Sequence, residues 1–326
     1  MKKEVYKYGK LVFEKYLVWA LLVLLVLVGS TIPGFLSPSN ILNVFWSSAP
    51  MGCMVLGLFF VLLTGELDLS LESTFAVAPT VAIVVSRQWM DGSLWGGYTV
   101  VLVLLLGIVA GLLNGLFVVQ LQVNALLVTL GTLLTFRGVV IFLIPEGVYD
   151  LPSSVTFVGN SKLYGYFPVA ILVLILLYSI AWLLINRHVF GRNIFALGSN
   201  SEAAYIAGVN ISRTKITSFA LAGLFSSIGG LLEVGRLSSV TAGMGEGDIL
   251  MVFAATILGG TSLSGGEGRV TNVFAAVIFI GFIENILNLY GIPPSVRQII
   301  FGTILLTAIY LASLQGKFED FSKAPA

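Results

Sequence analysis

The chain has 326 residues, 57% of them hydrophobic and only 10% charged, with a mean hydropathy of +1.00. Soluble domains carry roughly a quarter charged residues, so a soluble enzyme of this length is nearly excluded. A formal charge of +1, with no basic cluster beyond the N-terminus, leaves no footprint for nucleic acid.

Five lysines (Lys2, Lys3, Lys7, Lys10, Lys15) precede an apolar run from Leu17 to Val28. No small-residue cleavage site follows it, so the run reads as an uncleaved first span with a cytoplasmic N-terminus. Apolar runs recur at 17–33, 44–64, 73–90, 98–120, 125–144, 167–186, 216–235, 249–262, 270–290 and 297–314. At about 20 residues per crossing, these predict an all-α polytopic membrane protein with about ten transmembrane helices, some of them broken. The positive-inside rule agrees with that count. Twelve of the 17 Lys and Arg residues then face the cytoplasm, four (Arg87, Lys162, Arg236, Arg297) lie outside, and Arg137 falls within a span. Both termini are expected in the cytoplasm. No linker divides the chain, which reads as one transmembrane domain over 1–326. It has cytoplasmic tails at 1–16 and 315–326 and a cytoplasmic loop at 187–215. Residues 145–166, rich in Gly, Pro and Ser, read as an outside loop. Cys53, in an apolar run, reads as a small buried hydrophobe.

Two glycine-rich segments interrupt the apolar pattern. The first, Thr64-Gly65-Glu66-Leu67-Asp68-Leu69-Ser70-Leu71-Glu72-Ser73, places three carboxylates between apolar runs and has no base. It reads either as an unwound segment lining a polar pathway, as in transporters, or as a short solvated turn. The second, Gly259-Gly260-Thr261-Ser262-Leu263-Ser264-Gly265-Gly266-Glu267-Gly268, lacks the lysine of a phosphate-cradling loop. Breaks of this kind in both halves suggest an internal inverted repeat, or simply tight turns closing membrane hairpins.

In the loop at 187–215, Ser199 and Glu202 have the spacing of a capping box. Ala203, Ala204 and Ala207 favour helix, and Gly208 suits the left-handed residue that ends one. A cytoplasmic helix of about two turns is expected, packing on the bundle or on a separate partner, because so short a helix is marginal alone. Among polar residues inside apolar runs, Arg137 is the deepest and requires a partner, while Asn114, Glu233, Glu284, Asn285 and Asn288 also stand out. The lone His188 reads as solvated. No cluster with metal-ligand spacing, no nucleophile elbow and no nucleotide loop is present. A transporter without an ATP site uses an ion gradient or borrows an ATPase.

The run Phe190-Gly191-Arg192-Asn193-Ile194-Phe195-Ala196-Leu197-Gly198-Ser199-Asn200, with Glu202-Ala203-Ala204, Gly208-Val209-Asn210 and Lys215, resembles the cytoplasmic loop of ribose-type sugar ABC transporter permeases. The segments Gly65-Glu66-Leu67-Asp68-Leu69-Ser70, Asn114-Gly115, Thr129-Leu130-Gly131, Arg137-Gly138 and Ile257 to Arg269 fit the same family. The likeness covers about residues 30 to 315. It implies a membrane subunit of the bacterial inner membrane that imports a monosaccharide and pairs with a second copy or a paralogue. It also implies that the subunit docks a cytoplasmic ATPase and receives solute from an extracytoplasmic binding protein. ATP and Mg would belong to the ATPase, with no cofactor or metal in this chain. By the resemblance, Asn200, Glu202, Ala203, Ala204 and Gly208 would form the helix that couples to the ATPase. Gly65, Glu66, Asp68, Ser70, Asn114, Thr261, Ser262 and Ser264 would lie along the translocation pathway.

The chain departs from that pattern at four places. Leu71-Glu72 replaces Val-Gly, Met251 stands where an acid is common, Glu267 replaces a base and Asn124 replaces a proline. These changes leave the particular sugar open. The alternatives are a permease of this architecture for a nucleoside or branched-chain amino acid, or an ion-coupled transporter using Glu66, Asp68 or Glu233.

Overall fold

The computed structural model describes residues 2–89, 95–149 and 151–323. Along the described chain the helices are α1 (Lys2–Gly29), α2 (Pro38–Leu63), α3 (Leu71–Trp89), α4 (Trp95–Gln120), α5 (Ala125–Leu143) and α6 (Ser153–Asn160). They continue as α7 (Val169–Arg187), α8 (Val189–Ser199), α9 (Ser201–Ile206), α10 (Ile211–Leu237), α11 (Asp248–Leu258), α12 (Val270–Leu289) and α13 (Pro294–Lys323). Each of the ten apolar runs falls on a helix. Among the described residues, six helices are long and apolar enough to cross a membrane by length and composition: α2, α4, α5, α7, α10 and α12. Shorter apolar helices occupy Tyr16–Gly29, Asp248–Leu258 and Ser295–Thr307. The expected count of about ten crossings is therefore met for six on these criteria. The two tails are helical extensions of α1 and α13; residue 1 of the first and residues 324–326 of the second lie outside the described residues.

Helix α2 is the hub. Ser37 caps it by accepting from Asn40 N at 3.3 Å, and Pro38 occupies its first position. From Ser48 to Leu63 every residue is buried, as expected of a helix apolar on all sides. It packs against α10, α12, α11 and α7. Helices α4 and α10 share the most extensive contact. There a methyl on Gly223 would come 2.8 Å from the Gly111 nitrogen. Small residues of this kind let membrane helices gain dispersion contact where no hydrophobic drive between them exists. Helix α1 docks on α12, with Trp19 Nε1 donating to Asn272 Oδ1 at 3.3 Å.

Two connections expected as loops are structured. Within 145–166, α6 is followed by β1 (Lys162–Leu163), which pairs antiparallel with β2 (Phe167–Pro168). Trp46 anchors this cap: its Nε1 donates to the Gly159 carbonyl at 2.7 Å, and the Lys162 ammonium sits 4.9 Å from its ring centre. The loop at 187–215 contains α8 as well as α9. His188 is not merely solvated, because its Nδ1 accepts from Phe190 N at 3.1 Å and caps α8. The bundle thus has a hairpin end, formed by α6 and the two strands, and a loop end, formed by α8 and α9.

Candidate functional site

At the loop end α2 stops because Thr64 turns back on it, its Oγ1 donating to the Val61 carbonyl at 2.7 Å. Gly65 at φ +79 then redirects the chain. Residues 66–69 are neither helix nor strand, and α3 restarts at Leu71. The carboxylate-rich segment is thus a break packed inside the protein, not a solvated turn. Asp68 and Ser70 are each 1% exposed. Asp68 Oδ1 accepts from Ser70 N at 2.9 Å and from Ser70 Oγ at 2.6 Å. Ser70 Oγ in turn accepts from Asn114 Nδ2 at 2.7 Å, tying the break to α4. Asn114 Oδ1 is buried without a hydrogen-bond partner. Burying polar groups is costly unless they are paired; here Asp68, Ser70 and Asn114 pair with one another in a chain.

Glu66 lies at the mouth of the break and forms an ion pair with Lys215 on the first turns of α10. A cavity of about 510 Å³ opens beside this pair, lined by Gln122, Asn124 and Ser212 among others. Asn124, where the family pattern has proline, caps α5 by accepting from Leu126 N at 2.8 Å.

Arg137 finds its partner in Glu72. Arg137 Nη2 and Glu72 Oε1 are 3.8 Å apart, with both side chains largely buried. Arg137 Nη1 also donates to the carbonyls of Ala242 and Met244, each at 2.9 Å. Glu72 Oε2 accepts from Gly247 N at 3.1 Å and Ile249 N at 3.3 Å, so it caps α11 from another helix. Arg137 stands twelve residues after Ala125, the first residue of α5, or about 18 Å along the axis at 1.5 Å per residue. With Leu143 six residues further on, about 9 Å away, this ionic centre joins α3, α5 and the 242–249 segment inside the bundle, away from the loop end. Sequence reasoning missed the pairing, although the acid at position 72 was the signal available. Glu233 pairs instead with Arg236 on its own helix, at 2.6 Å.

In the second glycine segment, Thr261 is buried with its hydroxyl unpartnered. Ser262 N donates to the Glu267 carbonyl at 3.0 Å, and Ser262 Oγ accepts from Ser264 N at 3.2 Å, closing a local turn. That turn lies against the first break, where Gly266 N donates to the Leu63 carbonyl at 3.0 Å.

Helix α9 forms as expected but with a different cap. Asn200, not Ser199, is the N-cap: its φ is −161 and its side chain accepts from Ala203 N at 2.9 Å. Ser199 is used as the last residue of α8, so no capping box forms. Gly208 at φ +82 ends the helix, with Val209 N donating to the Ala204 carbonyl at 3.0 Å. Ala204 is buried, Glu202 and Ala203 are exposed, and Tyr205 and Ile206 are 71% and 81% exposed.

A family model for the branched-chain amino acid transport system / permease component matches residues 40–309. The chain belongs to this permease family. The ribose import permease protein of Bacillus subtilis (strain 168) is 33% identical over 303 residues, 89% of this chain and 90% of the relative. The L-arabinose transport system permease protein of Escherichia coli (strain K12) is 34% identical over 318 residues, covering 94% and 92% of the two chains. The galactose/methyl galactoside import permease protein of the same strain is 33% identical over 312 residues, covering 90% and 92%. No solved structure matches the chain. The resemblance to ribose-type ABC permeases is borne out over nearly the whole length, and this permease is a multi-pass transport subunit rather than an enzyme.

Proposed function

We propose that this permease imports a monosaccharide across the bacterial inner membrane as the membrane subunit of an ABC importer, driven by a separate cytoplasmic ATPase. The observation that carries the reading is its relatedness, over about nine-tenths of both chains, to permeases named for ribose, arabinose and galactose. An extracytoplasmic binding protein delivers the sugar, a second copy or paralogue completes the pathway, and membrane lipid surrounds the bundle. ATP and Mg act in the ATPase; this chain carries no cofactor or metal.

The whole chain is one permease domain with about ten crossings, an internal inverted repeat and both termini in the cytoplasm. The cytoplasmic tails are 1–16 and 315–326, and the coupling loop is 187–215. Helix α9 couples to the ATPase through Asn200, Glu202, Ala203, Ala204 and Gly208. Its exposed Tyr205 and Ile206 support this, because an apolar face on a six-residue helix gains stability only against a partner. The solute passes by Gly65, Glu66, Asp68, Ser70, Asn114, Thr261, Ser262 and Ser264. The buried Asp68–Ser70–Asn114 chain supports a polar route through an otherwise apolar bundle.

The test is uptake of labelled ribose, arabinose and galactose into vesicles holding this chain with its ATPase and binding protein. Leucine and a nucleoside serve as competing solutes. ATP-dependent sugar uptake is the expected result. Uptake by this chain alone that collapses with the ion gradient would overturn the reading, and transport of leucine only would move it to the amino acid class.

A further inference from the structure

Three segments distant in sequence meet at the loop end almost entirely through backbone, with the Ser199 hydroxyl the one side-chain atom at the contact. They are Leu63–Gly65 at the end of α2, Gly198–Ser199 at the end of α8, and Ser264–Gly266 after α11. A methyl on Gly198 would overlap the Leu63 carbonyl oxygen and the Gly266 nitrogen. One on Gly265 would lie 2.7 Å from the Gly65 nitrogen and 3.1 Å from the Gly198 Cα. One on Gly266 would lie 2.6 Å from the Ser199 nitrogen. The Leu63–Gly266 hydrogen bond closes the same point at 3.0 Å. The three backbones are therefore in direct van der Waals contact. A side-chain contact can absorb a small displacement by changing rotamer, but a backbone contact has no such slack.

The position of this junction matters more than its tightness. Gly198 lies two residues before Asn200, the cap of α9, and Leu63 is the last residue before the break that holds Asp68 and Ser70. On the far side of α9, the chain passes through Asn210 into α10, whose Lys215 is paired with Glu66 of the same break. The break is thus gripped from both flanks of α9: by bare backbone before it and by an ion pair after it.

We infer that Gly198, Gly265, Gly266 and the Lys215–Glu66 pair are positioning residues that transmit displacement of α9 to the break at 64–70, so that ATPase movement shifts the pathway. This deepens the proposed function and rests on α9 being the ATPase-docking helix. A displaced α9 carries Gly198 and Lys215 with it. Gly65 and Glu66 must follow, and with them the Asp68–Ser70–Asn114 chain.

The experiment reads solute uptake and ATP hydrolysis in parallel, in proteoliposomes containing permease, ATPase and binding protein. Lys215→Glu should leave the ATPase bound and hydrolysing while uptake per ATP falls about tenfold, within the range of coupling between sites. The exchange variant, Glu66→Lys with Lys215→Glu, should recover most of that loss. Gly198→Ala should retain the ATPase and hydrolyse ATP with uptake reduced at least as much. Unchanged uptake per ATP in Lys215→Glu, or no recovery in the exchange, overturns the inference. Loss of Gly198→Ala from the membrane would make Gly198 a packing residue and overturn its assignment. Failure of the ATPase to co-purify with the unaltered permease would instead bring down the docking reading beneath it.

Discussion

At the loop end, Gly65, Gly198, Gly265 and Gly266 join three segments backbone to backbone, whereas deeper in the bundle Glu72 and Arg137 join three segments through charged side chains. Both contacts hold an interrupted stretch of chain against its neighbours, yet they tolerate change differently. The ionic centre is defined by charge: each member is buried at the expense of its hydration, and each leaves the other stranded if removed alone. The glycine junction is defined by volume, and no substitution at one site can make room for a methyl at another. One contact can be redesigned in pairs; the other can only be kept.

The largest expected effect comes from breaking the ionic centre on one side. Arg137→Ala leaves a buried carboxylate without its counter-charge and two carbonyls without their donor, and should destabilise the protein by about 3–5 kcal/mol. A fall in the thermal midpoint of the detergent-solubilised permease would register it. Glu72→Gln combined with Arg137→Met should recover most of the loss in the same measurement, because neutral partners remove the charge that makes the pair interdependent. If the double variant melts no higher than Arg137→Ala, the centre is not held by charge.

Next in size is the junction. Gly265→Ala adds a methyl against backbone at φ +87, which should cost about 2 kcal/mol or more through strain and overlap. Its melting should not be rescued by any second substitution among the other three glycines. A rescued double variant would mean that the junction has slack and that the contrast with the ionic centre is false. Smaller still is Asn200→Ala, which removes the cap of α9 at about 1 kcal/mol. It should lower ATPase co-purification several-fold while lowering the melting midpoint of the permease only slightly. Unchanged co-purification would make the cap a matter of the bundle alone. Asn114→Ala, which frees Ser70 Oγ of one donor, should cost about 1 kcal/mol and shift the midpoint slightly, with no change in ATPase co-purification.

The sequence carried the helices well and their relations poorly. Each apolar run marked a helix, because sustained hydropathy is a local property that a membrane enforces strongly. Helix α8 was not legible: Gly191, Asn193 and Gly198 read as loop, yet Gly191 sits there because its Cα packs on the Ile185 backbone. The cap of α9 fell one residue from its expected place, since Ser199 and Asn200 are both competent and only the course of α8 decides between them. Arg137 announced that it needed a partner. Glu72 is 65 residues away on another helix, and such a pairing leaves no periodic trace. The two glycine segments were recognisable as breaks. That they touch each other and Gly198 is a fact of packing across more than 130 residues, which no local pattern encodes.

The docking of α1 on α12 has a consequence for how the chain is made. Trp19 and Asn272 are 253 positions apart. At a synthesis rate of about 5–20 residues per second, the first helix therefore waits about 13–50 s for its partner to emerge. During that interval α1 has only lipid, or an insertion chaperone, to shield its inward face. A chain stopped before α12 would carry α1 without the helix on which it docks.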